Sequence, residues 1–162
     1  MPEQSASNMN TLRLVCFALC AGMIVFAIIA IVTTIEQVSP ASHGQSGTVA
    51  AILPSIAVAL GVGIALIWPL VHASAVRSAR IAWRGPGEVA EKERALWSRY
   101  SALVVCRAAL VEAFGLFGIV TLFLAGAWWG LAAPAMAIGV VLYLLPSQAK
   151  YEQFLSRATE QA

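Results

Sequence analysis

Few side chains in this 162-residue sequence are of a kind that does chemistry. It has three cysteines, two histidines and eight acidic residues, all of them glutamate. Cys16 and Cys20 stand four apart, on one face of a helix, yet a helix holds such a pair too far apart for an easy disulfide. Together with Cys106 they read as small residues of membrane helices. His43 and His72 belong to opposite ends of an apolar run, so one chain cannot clamp a haem between them. A haem shared between two copies through His72 is the alternative set aside here. Neither histidine has a cysteine or carboxylate at metal-ligand spacing, so no metal site and no cofactor is expected. No nucleophile, base and acid are arranged for covalent catalysis, and no enzyme is expected.

Glu112 is different. It lies inside an apolar run, about fifteen residues past Trp97, or ~22 Å along a helix. That places it near mid-bilayer, where insertion scales charge about 2.5–3.5 kcal/mol for an ionised group. Such a residue is either an ion- or proton-binding carboxylate, or an acid that hydrogen-bonds to a neighbouring helix and fixes its packing. Arg107 is the candidate charge partner, although five residues of separation turns it roughly 140° around the helix. Small residues lie nearby on the same helix, at Ala108, Gly115 and Gly118, and the preceding run offers Gly61 and Gly63. Small residues let helix backbones approach closely, so these five form the expected interface. Gly130, Ala133 and Ala137 make a matching stripe further on, and Leu103 serves as the lipid-facing comparison.

The elements that must hold these residues follow from composition. The chain is 60% hydrophobic and 11% charged, against roughly 45–50% and 25% for soluble domains. Too little polar surface remains to cover a water-soluble core. Disorder, a secreted disulfide scaffold and an ordinary cytosolic enzyme are excluded, and a net charge of +2 is too small to suggest nucleic acid. Four apolar runs, 14–35, 49–71, 101–124 and 127–145, each approach or exceed the ~20 residues needed to span a bilayer as a helix. No period-two alternation suggests a barrel. The first run is read as a permanent helix, being too long for a signal peptide. The expected fold is an all-α, four-helix membrane bundle forming one domain, with short tails at 1–13 and 146–162.

Charge sets the expected orientation. Arg13, Arg77, Arg80, Arg84, Lys92, Arg94, Arg99, Lys150 and Arg157 all fall in segments on one side, while the opposite loops, 36–48 and 125–126, carry no Lys or Arg. The positive-inside rule then puts both termini and the central loop in the cytoplasm of a bacterial inner membrane. Arg84-Gly85-Pro86-Gly87 signals a turn. The stretch 88–124 after it has no proline and would reach ~55 Å as a helix, so a long helical hairpin is expected to project into the cytoplasm.

The stretch Ala109-Leu110-Val111-Glu112-Ala113-Phe114-Gly115-Leu116-Phe117-Gly118-Ile119-Val120 resembles the second helix of the rotary ATP synthase c subunit, the proteolipid. There an Ala-Leu-x-Glu-Ala segment carries the ion-binding carboxylate. Arg84-Gly85-Pro86-Gly87-Glu88 is similar to that family's cytoplasmic loop. The resemblance implies that Glu112 binds a proton or ion. It covers about twelve residues, and two further helices flank the hairpin. Arg107-Ala108-Ala109-Leu110-Val111-Glu112, with Tyr100 seven residues before, is also similar to small four-helix bacterial membrane proteins without an assigned activity. The leading expectation is a non-enzymatic structural or interaction subunit with a buried intramembrane acid, its partners being the lipid bilayer and a second copy or another membrane subunit. A proteolipid-like ion carrier acting through Glu112 is the alternative.

Overall fold

The computed structural model describes residues 2–37, 46–126 and 128–159. Five α-helices and one 3-10 turn make up the described residues, with no strand among them: α1 Pro2–Gln37, α2 Ser46–Arg84, α3 Val89–Ala125, the turn Trp128–Leu131, α4 Ala132–Tyr143 and α5 Gln148–Thr159. The stretches Asn8–Ile35, Ser55–Arg84 and Val89–Ala125 are long and apolar enough to cross a membrane.

The 39 residues of α2 and the 37 of α3 extend ~58 and ~55 Å, well beyond a hydrocarbon core of ~30 Å. Between them the chain reverses within Gly85, Pro86 and Gly87, and only glycine readily takes the φ of 145° found at Gly87. At its other end α3 stops on Gly126, whose φ of 60° lets its N–H return to the Leu122 carbonyl at 2.9 Å.

α3 is the central helix and touches every other one. Its buried residues Leu96, Tyr100, Leu103, Ala108, Val111, Gly115, Gly118 and Leu122 recur mostly at steps of three and four, the stripe of a helix packed along its length. The facing stripe of α1, Met9, Leu12, Cys16, Cys20, Met23 and Ala30, has the same rhythm. Three core layers result. At the basic end Met9, Leu12, Ala79, Leu96, Tyr100 and Leu103 enclose Phe154 and Ala158 of α5. Cys16, Cys20, Met23, Val111, Ala137 and Val141 form the middle layer, and Ala30, Ile119 and Leu122 the far one.

Three sequence expectations need correction. The fourth run is not one regular helix over 127–145. It opens with the 3-10 turn, and α4 ends at Tyr143 because Pro146 disfavours helical backbone at the residue before it. The tails are not merely short polar ends. α1 begins at Pro2, with Met9 and Leu12 in the core, and α5 lies bent by 73° from the segment before it. Leu103 does not face lipid. It is buried beneath α5, which the apolar runs alone do not reveal.

Candidate functional site

Glu112 sits one residue around α3 from Val111, at the rim of the stripe that α1 and α4 cover. It is half-buried, so the buried acid expected from sequence is not found. Its carboxylate makes no hydrogen bond or ion pair among the described residues, and Cys20 on α1 lies within its electrostatic reach. Arg107 is not its partner. The Arg107 guanidinium instead stacks 4.8 Å from the centroid of the Trp68 ring on α2, a cation–π contact worth about 0.5–2 kcal/mol.

The small-residue interface holds in part. A Cβ on Gly118 would lie 2.5 Å from Ala133 Cβ and 3.0 Å from Pro134 Cδ, and would also strike the Gly130 carbonyl oxygen. On Gly115 it would come within 2.7 Å of Met23 Sδ and 3.0 Å of Ala137 Cβ. The Gly130, Ala133 and Ala137 stripe therefore packs directly onto Gly115 and Gly118, and Ala108 is buried in the same seam. A Cβ on Gly61 would lie in ordinary contact with the Phe114 ring at 3.5 Å, but one on Gly63 would meet nothing within 4 Å. Gly63 therefore takes no part in the close helix contact.

Cys16 and Cys20 are buried and Cys106 exposed, all three as free thiols. His43 lies outside the described residues. His72 takes part in a feature that the sequence reading missed. A cavity of about 430 Å³ at the basic end is lined from all five helices; Arg107, Lys150 and Arg157 are its cations, and His72, Cys16, Tyr100 and Tyr143 its other titratable groups. Neither the hairpin's glutamates nor Glu152 line it.

Local structure explains how these groups converge. On α5, Tyr151, Phe154, Leu155 and Ala158 follow a helical i, i+3, i+4, i+7 pattern, and Trp97, Tyr100 and Tyr151 pack with ring centroids 5.1–5.8 Å apart. The adjacent face of α5 carries Lys150, Gln153 and Arg157. Docking the apolar face aims this polar one at the cavity. Lys150 Nζ donates to the carbonyls of Tyr143 at 2.7 Å and Leu145 at 3.1 Å, closing the end of α4. Arg13 Nε donates to Pro146 O at 3.0 Å and ties α1 to the same corner. Burial, and behind it the Glu93 carboxylate, pushes the Tyr151 hydroxyl above the ordinary tyrosine value.

The Arg157 guanidinium lies 3.1 Å from His72 Nε2. A guanidinium only donates, so His72 Nε2 accepts and the proton of the neutral ring resides on Nδ1. That Nδ1–H is buried with no acceptor, and so is Arg107 Nε. An orphaned buried donor costs about 1–3 kcal/mol. Both residues line one cavity, which the Lys150 and Arg157 cations line as well.

The sequence held a signal for α5 in its apolar spacing, which ordinary helical periodicity would have caught. No comparable signal marked the cavity, whose residues are far apart along the chain. No family model matches this sequence, and neither curated proteins nor solved structures give a match.

Proposed function

We propose that the chain is a four-span protein of the bacterial inner membrane, both termini cytoplasmic, acting as a non-enzymatic structural or interaction subunit. Three helices of spanning length and apolarity support the membrane reading, and the nine basic residues named above, in segments on one side, support the orientation. The observation that carries the interaction role is Glu112. In the apolar belt, a half-buried acid with no partner among the described residues favours a hydrogen-bond donor from a second copy or another subunit. Apolar surface for such a contact is plentiful on the bundle, since the most apolar stretch of α2 has no buried residue.

Substitution of Glu112 tests this. In mild detergent, wild type and Glu112→Gln, which keeps a hydrogen-bonding side chain of the same shape, are expected to migrate as a higher assembly on native gels. Glu112→Leu is expected to migrate as the single chain. A single chain in all three cases would sink the interaction role. An assembled Glu112→Gln variant that loses proton exchange in vesicles would replace it with the ion-carrier role.

A further inference from the structure

The geometry points to an anionic phospholipid seated in this chain, its phosphodiester headgroup in the basic cavity and an acyl chain in the groove beside it. The inference rests on the membrane reading for the source of the ligand. Charge is the first argument. Arg107, Lys150 and Arg157 line the cavity, and no carboxylate does. Arg107 is half-buried while Lys150 and Arg157 stand at the open rim, so three positive charges face one opening and an anion there would offset their repulsion. A phosphodiester brings the negative charge and several strong acceptor oxygens.

Unmet hydrogen bonding is the second argument. Arg107 Nε–H and His72 Nδ1–H are both buried without an acceptor, and both residues line the cavity. Both donors need the same kind of atom, an oxygen that accepts. Lys150 spends two of its three protons on the end of α4 and keeps one.

Shape distinguishes a lipid from a free anion. Trp68 lines the basic cavity and also a second groove of about 320 Å³, bounded by Gly61, Phe114, Met136 and Val140. That groove is lined almost wholly by apolar atoms. It runs between α2, α3 and α4, away from the basic end, as an acyl chain would. A cavity that carries three cations, opening beside an apolar groove at the basic end of a bundle, is the combination that recognises an acidic headgroup together with its tail.

Thermal unfolding of the full chain in dodecyl maltoside tests this, with dihexanoyl phosphatidylglycerol, dihexanoyl phosphatidylcholine and inorganic phosphate as probes. Phosphatidylglycerol is expected to raise the midpoint at concentrations at least ~10-fold below those phosphatidylcholine requires, with phosphate weaker than either. Arg157→Gln and Arg107→Gln should each raise the phosphatidylglycerol concentration needed by about tenfold. Arg77→Gln, an exposed arginine outside the cavity, loses the same charge and should change nothing. Should Arg107→Gln fail to fold once its Trp68 contact is gone, Arg157→Gln on α5 still decides. Equal responses to the two lipids would overturn headgroup recognition, and a phosphate response equal to that of phosphatidylglycerol would overturn the lipid as source. An Arg157→Gln variant no different from Arg77→Gln would overturn the location. Resistance of the chain to alkaline carbonate extraction is read on the cell membranes before solubilisation, so failure of the membrane reading shows separately.

Discussion

At the scale of single residues, a glycine's neighbours decide what it does. Gly118 and Gly63 both lie in apolar helices, and sequence alone treats them as equivalent. A methyl group on Gly118 would meet the Gly130 carbonyl, Ala133 and Pro134, whereas on Gly63 it would meet open space. Gly118→Ala is therefore expected to destabilise the fold by about 1–3 kcal/mol, the cost of overpacking. Gly63→Ala should be neutral, or stabilising by up to about 1 kcal/mol, since alanine is the better helix former. Thermal unfolding in detergent compares the two, and equal losses would mean that the α3–α4 crossing is misplaced. Arg107 shows a similar limit of one-dimensional reading. Its spacing from Glu112 already argued against an ion pair. That it would lie over Trp68 depends on how α2 and α3 pair, which no local pattern specifies.

Among the elements, α5 was the least legible and is the most testable. The long apolar runs and the Arg84-Gly85-Pro86-Gly87 turn mark α2 and α3 because hydrophobic length and turn chemistry are local properties. α5 is short and polar on average, and a 12-residue helix is marginal on its own. Its order comes from docking Phe154 and Ala158 into the basic-end core. Phe154→Ala should cost about 3–5 kcal/mol of that docking and release α5 while the long helices stay folded. Trypsin cleavage after Lys150 and Arg157 should then accelerate severalfold, with little change in total helix content. A global loss of helicity would instead show that α5 and the spans unfold as one unit. Tyr151 adds a pH dependence. Its folded pKa is raised above the ordinary value near 10, so docking retains more protons than the released helix. Its contribution is complete below pH 10 and is lost as pH rises from there through the raised value. Tyr151→Phe should weaken that alkaline release, as followed by the same cleavage assay.

For the whole molecule, the packing bears on the fourth crossing more directly than helix length does. The 3-10 turn and α4 together reach only ~26 Å, short of the other helices. Yet Gly130 packs at the far end of α3, against Gly118 and Leu122, while α5 just beyond α4 reaches His72 and Arg80 near the basic end of α2. The chain from Trp128 to Gln148 therefore travels between the same two ends as α1, α2 and α3. A re-entrant loop would return to the side it entered, and α5 could not then meet α2 at its basic end. Three single cysteines in a cysteine-free background test this arrangement in intact cells. Ser46→Cys precedes the apolar part of α2 and should react at once with an impermeant thiol reagent. Glu88→Cys at the hairpin tip and Glu152→Cys on the exposed side of α5 should react only after permeabilisation. Labelling of Glu152→Cys together with Ser46→Cys would remove the fourth crossing, and with it the proposed cytoplasmic placement of the basic cavity. Protection of Glu152→Cys in step with Glu88→Cys requires four crossings, because α5 and the hairpin tip then share one compartment.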